Sequence, residues 1–493
     1  MMKKTMLTLL SVFIVTATGF AADMDGRGTS SGKKWTAFEL GTLDLIQPEE
    51  SIQMFGEDVN VYGLRLSLLY VNNKNIAGVD FGPLGYNKVQ NDMSGLQLGA
   101  GMNAVEGMVQ GLQVAGVQNR AEDTSAGGQL AVGVNRAEDT FTGAQISGVG
   151  NYAGEPLKAC QLSLGVNVAE GFAIPSVQLG GLGNSVTELN GMQLTGGINQ
   201  AESTGPQLSG LGNFSDRVTG FQLSGGVNGA DEFNTPGFQL SGIGNGVDEL
   251  TGPQLTGGVN WGNITGPQLS GLGNYSGEVT GFQLSGGVNV ADQFETPGVQ
   301  LGGLYNGAKT LTGLQVVGGI NSVDEKYTGV QLAGLGNQAE VQGIQVAAGY
   351  NSGEFQGGQL SGVANVASES PEWVMLTGGV NINSGPFSGV QMAGLGNVFW
   401  ENAEAYSGLQ LAGGVNAYPG DLTGMQLSIL ENGVQSVEGV QATGIFNRAD
   451  AVGGVQLGLI NYAQNLNGVQ IGAINIIGDT DAFPALPIAN ANF

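Results

Sequence analysis

The residues in this chain that are able to do chemistry are few. Histidine is absent and there is one cysteine, Cys160, in 493 residues. That composition excludes His/Cys metal centres and histidine-dependent nucleophilic triads. Acid pairs remain: Glu122-Asp123, Glu138-Asp139, Asp231-Glu232, Asp248-Glu249 and Asp324-Glu325 fall at similar phases of a repeat. Stacked, they would form an acidic stripe able to hold Ca²⁺ weakly. The stronger expectation is a solvated negative edge that keeps the chain soluble and discourages edge-to-edge pairing. Glycoside hydrolysis needs one acid pair in one cleft. A repeat offers no unique pair, so neither an enzyme nor a cofactor is expected. Glycine is everywhere, with 89 residues, but a phosphate loop also needs a helix after the glycines, and no helical pattern is present. The Gly-Gly-x-Gly-x-Asp calcium-roll signature does not occur. Phe221, Phe238, Phe282, Trp261 and Tyr275 would suit a strip for stacking sugars, but packing in the core or at corners is the expected role. Cys160 occupies a slot that other copies fill with Val, Phe, Met or Pro, so it reads as a small apolar filler.

The element that positions these residues is a short unit seen clearly at residues 220–228, Gly-Phe-Gln-Leu-Ser-Gly-Gly-Val-Asn. Its glutamine recurs from Gln97 to Gln470, usually every 14 to 16 residues, with Met375 standing in once and degenerate copies at Arg65 and Asp80. The residue after each anchor is apolar from Leu98 to Ile471. The sixth residue after it is asparagine from Asn103 to Asn447, and the last two copies place it one earlier, at Asn461 and Asn475. Phe221-Gln222-Leu223-Ser224 alternates apolar and polar, the period of a strand. Gly225-Gly226 relaxes the backbone, and Asn228 suits a corner, where asparagine tolerates the left-handed conformation. Successive units alternate in kind. One has an aliphatic residue four after the anchor (Leu182, Leu211, Ile243, Leu272, Leu335), and the other has glycine there (Gly197, Gly226, Gly287). A large residue filling a glycine gap in its neighbour inside a thin core would explain this. Residues 204–213 and 265–274 are identical, as are 219–228 and 280–289, each pair 61 residues apart, which points to duplication of a four-unit block.

Units of about 15 residues cannot each bury a core and must stack. The expected fold is all-β, a β-solenoid. Its structural ladders would be built from Gln222, Leu223 and Asn228, Gln239, Leu240 and Asn245, and Gln283, Leu284 and Asn289, with the leucines as the internal ladder and the amides satisfying one another along the stack. The alternative is a large outer-membrane β-barrel with one tilted strand per unit. Against it stand the low aromatic content, 7%, and Pro206, Pro253 and Pro267 directly before the anchor, where a closed barrel needs a donor.

Residues 1–21 read as a signal peptide, with Lys3 and Lys4 ahead of a short apolar stretch and small residues at the cleavage point. Residues 22–59 are assigned to a linker and an N-terminal cap strand (34–46), 60–476 to the repeat array, and 477–493 to a C-terminal cap or tail. The full chain carries a net charge of −26, and loss of Lys3 and Lys4 makes the exported form more acidic still. Such a polyanion is not expected to bind nucleic acid or anionic lipid. Only 11% of residues are charged and 41% are hydrophobic, unlike a disordered acidic tail.

The stretch 454–475, Gly-Val-Gln-Leu-Gly-Leu-Ile-Asn-Tyr-Ala-Gln-Asn-Leu-Asn-Gly-Val-Gln-Ile-Gly-Ala-Ile-Asn, and the block 61–72, Val-Tyr-Gly-Leu-Arg-Leu-Ser-Leu-Leu-Tyr-Val-Asn, carry a resemblance. Over roughly residues 60–475 the chain resembles the exported bacterial surface-repeat proteins first noted among spirochaete lipoproteins and common in Bacteroidetes-like bacteria. The resemblance implies a surface or envelope location and no established activity. The chain departs from the lipoprotein members in having no lipidation cysteine. The expected function is therefore a non-enzymatic exported scaffold or adhesin at the cell surface, in the outer membrane, or outside the cell, with the periplasm as a further location. An outer-membrane channel and a glycan-binding module are the alternatives, and envelope components or surface glycans are the expected partners.

Overall fold

The computed structural model describes residues 35–43, 51–53, 59–234, 236–294, 297–368, 372–400, 405–480 and 484–493. The assigned signal peptide and most of the linker lie outside them. The described residues are strands and short bends, without a helix. The chain divides into two compact units, Met1–Ser241 and Gly242–Phe493, and each is a β-solenoid.

One repeat makes one coil. In the first unit the strand Val109–Ala115 carries the anchor Gln113, a two-residue bend follows, and the strand Gln118–Ala121 carries Asn119. The next coil repeats this as Ser125–Ala131 and Val134–Ala137. The two anchor strands pair in parallel with Gln113 opposite Gln129, and the two asparagine strands pair with Asn119 opposite Asn135. In the second unit Gln331 lies opposite Gln345, and Asn337 opposite Asn351. These parallel ladders between consecutive coils rule out the barrel, whose neighbouring strands run antiparallel.

The glycine two before the anchor is required by this stacking. Gly111, Gly127 and Gly143 hold φ near +140°, and a Cβ on Gly127 would stand 1.8 Å from the Gly111 carbonyl oxygen of the preceding coil. Only glycine allows both the conformation and the approach.

The core is split. At one end of the coil, the residue four before the anchor and the residue eight after it stack into an apolar seam: Phe141, Leu157, Leu189, Ala137, Ala153 and Val186 in the first unit, and Phe387, Tyr406, Leu422, Phe399, Tyr418 and Val434 in the second. Aromatic rings pack along the latter, with Phe387 stacked on Tyr406 at 5.2 Å and Phe399 edge-on to Tyr418 at 4.5 Å. The rest of the interior is mostly amide, with small residues such as Ala115, Ala131, Ser147 and Thr195 buried two positions after the anchor.

At the ends of the array, the strand Trp35–Leu43 runs parallel to the first repeat strand, Asn60–Ser67. Ala485–Asn492 lies antiparallel on Ile460–Ile477. Both cover strand edges that would otherwise be open to pairing.

Candidate functional site

The anchor strand points inward with its glutamine, not with the leucine that follows. Gln222, Gln239 and Gln283 are fully buried, as are Asn228, Asn245 and Asn289. Leu223 is half-buried, and Leu240 and Leu284 stand about 40% exposed. The leucines do form an in-register column, Leu208 beside Leu223 beside Leu240, but it runs along the outside. The expected internal leucine ladder is therefore reversed. The period-two reading of Phe221 to Ser224 holds, with the polar side facing in.

What makes this inversion stable is the pairing of the amides along the stack. Along the ladder a glutamine Nε2 donates to the Oε1 of the glutamine one coil earlier: Gln222 to Gln207 at 2.8 Å, Gln239 to Gln222 at 2.8 Å, Gln283 to Gln268 at 2.7 Å. The same group donates to a backbone carbonyl of its own coil, as from Gln222 to Gly229 at 3.1 Å. Each asparagine Nδ2 donates the other way, to the Oδ1 one coil later: Asn213 to Asn228 at 2.8 Å, Asn245 to Asn260 at 3.0 Å, Asn289 to Asn306 at 2.9 Å. It also donates to the carbonyl of the residue after the next anchor, as from Asn228 to Leu240 at 2.8 Å. Asparagine thus sits within a strand. Among the described residues the one non-glycine residue with positive φ is Ile488, so the expected left-handed asparagine corner is not formed.

The glutamine ladder starts on an ion pair. Gln97 Nε2 donates to Asp80 Oδ2 at 2.9 Å, and Arg65 Nε donates to Asp80 Oδ1 at 2.7 Å. Arg65 Nη1 also reaches Asn73 Oδ1 at 2.9 Å and the Lys88 carbonyl at 3.0 Å. Arg65 and Asp80 are both fully buried. They occupy anchor positions, so the two degenerate copies end the ladder with a charged donor and acceptor. The ladder breaks once, at Met375. Gln391 Nε2 meets only its sulfur, at 3.5 Å, and Gln359 Oε1 has no partner.

Outside, the solenoid has distinct faces. The residues one before, one after, three after and four after each anchor include no charged side chain from Gln97 to Gln470. This face is apolar and half open to solvent. In the second unit it carries a groove of about 650 Å³ lined by Leu360, Leu376, Met392, Leu411, Leu427 and Ile429. Cys160 is on this face in the first unit, half-buried and free. The alternating aliphatics are here as well. Leu182, Leu211, Ile243, Leu272 and Leu335 are each 60% exposed or more, so they do not fill gaps inside. Gly226 is glycine because a Cβ would stand 2.1 Å from the Leu211 carbonyl oxygen. The neighbour it accommodates is backbone, not the leucine side chain.

The acids follow the asparagine, in the second unit and its border on the same strands: Val227–Phe233, Gly244–Leu250 and Ile320–Ala333. Asp231, Glu232, Asp248, Glu249, Asp324 and Glu325 are exposed. Asp123 and Asp139 accept from the backbone N–H groups of Thr124 and Thr140, both at 2.6 Å, and so shape their own turns. The sparse cations sit among the acids. Arg120 reaches Glu138 at 2.8 Å, Lys309 reaches Asp292 at 3.0 Å, and Lys88 reaches Glu106 at 2.6 Å; the Glu106 hydrogen bond raises the Lys88 ammonium above its ordinary pKa. No group of three or more metal-ligating side chains is formed among the described residues, so the acid pairs do not converge on one another.

The five aromatics fall on two faces. Phe221 and Phe238 stack at 5.3 Å on the uncharged face, where Phe282 is also exposed. Trp261 and Tyr275 lie beside each other on the outer side of the asparagine strands, 47% and 44% exposed. The Trp261 ring lies over Gly246, where a Cβ would come within 2.3 Å of it. None of these serves as core.

Sequence reasoning missed the apolar seam. Its signal was present: the fourth residue before the anchor is Phe141, Leu189, Val218, Leu250, Val279, Leu311, Tyr327, Val341 or Leu422 in successive parts of the array. No known family model matches the chain, and no characterised protein or solved structure is detectably similar to it.

Proposed function

We propose that this is a non-enzymatic exported repeat protein of the bacterial surface or envelope, acting as a scaffold or adhesin. The observation that carries this reading is the repetition of outward side chains in register. Leu208, Leu223 and Leu240 present the same group at the same height on consecutive coils. A surface of this kind offers many equivalent weak contacts in place of one unique pocket, and its strength comes from multivalency. The export signal at residues 1–21 and the resemblance to surface-repeat proteins support the envelope location. The test is fractionation of the producing cell combined with N-terminal sequencing of the purified protein. The expected result is a chain beginning near Ala22 in the envelope or medium, degraded when intact cells are treated with protease. A chain that retains Met1 and stays in the cytosol would refute the reading.

A second reading is favoured by one specific pair. Trp261 and Tyr275 are exposed neighbours one coil apart on the charged side of the solenoid, an arrangement that suits stacking on sugar rings. If the protein binds polysaccharide, replacing both residues by alanine should abolish retention on it and leave the fold intact. Unchanged retention would remove this reading.

A further inference from the structure

The uncharged face has no role inside the solenoid, and its relief is regular. In the second unit Ile243, Leu272, Leu304, Leu335, Val363 and Leu395 project four residues after alternate anchors, 60 to 68% exposed. The coils between them carry Gly258, Gly287, Gly319, Gly349, Gly379 and Gly414 at the same position. The face is therefore a series of apolar ridges and glycine grooves, repeating every two coils, or about 9.6 Å at the usual strand spacing. Backbone packing explains the glycines, since a Cβ on Gly287 would lie 2.3 Å from the Leu272 carbonyl oxygen. It does not explain why the intervening residue is large, aliphatic and exposed.

We propose that this face is an interface between two copies of the chain, packed against each other through the second unit. Three observations commit the occupant to a second copy. The first is self-complementarity. Two such faces related by a two-fold axis and offset by one coil place every ridge of one in a groove of the other, as an isologous contact requires. The second is charge. The chain carries −26, yet the columns that would meet hold no charged residue, so two copies can join here with their acidic sides pointing away. The third is area. From Gln254 to Gln410 the face covers about eleven coils, roughly 53 Å by ~16 Å, or on the order of 850 Å², against the ~800 Å² per partner of a standard specific interface. A single exposed patch of that size is larger than monomers usually carry.

The test uses the exported chain, purified without detergent. Sedimentation equilibrium over a concentration series should give twice the mass of one chain. Leu304→Glu, Leu335→Glu and Leu395→Glu together should weaken association by on the order of a hundredfold or more, because each places a carboxylate in an apolar groove. The far-UV circular dichroism should not change, since all three side chains are solvent-exposed in the single chain. A wild-type chain that stays at single mass throughout overturns the proposal, and so does a folded triple variant that still doubles. A single-mass chain that floats with neutral phosphatidylcholine vesicles overturns it too, with lipid as the occupant. Should the triple variant fail to fold, a Leu335→Glu single variant of the native chain serves the same purpose: a weaker dimer supports the interface, and an unaltered one refutes it.

Discussion

Repairing the one break in the glutamine ladder should make the second unit more stable. Met375 is fully buried at an anchor position, opposite Gln359 on one side and Gln391 on the other. Its sulfur is a weak acceptor for Gln391 Nε2 at 3.5 Å and donates nothing to Gln359 Oε1. Methionine and glutamine have similar length and flexibility, so Met375→Gln introduces little strain. The new amide would donate to Gln359 and accept from Gln391. Two net hydrogen bonds contribute about 0.5–1.5 kcal/mol each, less the lost burial of an S–CH₃ group at about 0.8 kcal/mol per methyl-sized unit. The expected gain is on the order of 1 kcal/mol. Repeat arrays open locally rather than all at once, so the assay is hydrogen exchange of the backbone amides, read by mass spectrometry on peptides spanning Gln359 to Gln391. Exchange there should slow about fivefold, the equivalent of 1 kcal/mol. The reciprocal change, Gln345→Met, strips Gln359 Nε2 of its acceptor and Gln331 Oε1 of its donor. It should accelerate exchange in its own coils by a larger factor, because two buried polar atoms lose partners at about 1–3 kcal/mol each. If Met375→Gln accelerates exchange, or Gln345→Met leaves it unaltered, the amide ladder is not what stabilises the coils.

Three other perturbations follow from the packing. Gly127→Ala forces a Cβ to within 1.8 Å of a backbone oxygen at φ +141° and should cost on the order of 3 kcal/mol or more. Gly433→Ala, with nothing within 4 Å of its Cβ, should be nearly neutral when the urea midpoints of the two variants are compared. Asp80→Asn leaves Arg65 buried without its counter-charge and should destabilise the first coils by about 3–5 kcal/mol. Arg65→Gln and Asp80→Gln together extend the neutral ladder and should cost much less, which a comparison of urea midpoints will read. Burial raises the phenols of Tyr327, Tyr406 and Tyr418, the last to about 12 with some help from Asp421. A raised folded pKa favours the neutral form. Stability from these groups is complete below about pH 10, where unfolded tyrosine is still protonated, and falls as pH rises from there through the folded values. The urea midpoint of the second unit should be flat to about pH 9.5 and drop above pH 10, and a midpoint that rises in that window would contradict the burial argument.

The repeat length, the strand period and the parallel stack could be read from spacing alone, because they depend on the chain's own regularity. Which side of the strand faces in could not. Taken singly, the outward set Phe221 and Leu223 is more apolar than the inward set Gln222 and Ser224, and hydropathy alone chooses the wrong face. Gln222 can be buried only because Gln207 and Gln239 sit above and below it. That satisfaction belongs to the stack and is invisible in one unit. The same holds for Asn228, whose partners come from neighbouring coils. Val218 and its equivalents carry the signal of the apolar seam but lie outside the nine-residue unit 220–228. The alternation of leucine and glycine was also plain. Its meaning depends on Leu211 standing on the outside, which one unit does not reveal.

The opposed directions of the two amide columns bear on how such a chain can grow. Glutamine side chains donate toward the N-terminus and asparagine side chains toward the C-terminus, so each inserted coil adds two dipoles that largely cancel. A single column would lengthen one uncompensated dipole with every coil, as the peptide dipoles of a helix do. Here the paired amide columns add little net dipole as the array lengthens: a block of four coils can be copied into it, as the identical stretches 204–213 and 265–274, and 219–228 and 280–289, each 61 residues apart, indicate, and the Arg65–Asp80 terminus need never be rebuilt. In this architecture the number of coils is a quantity that recombination can adjust freely.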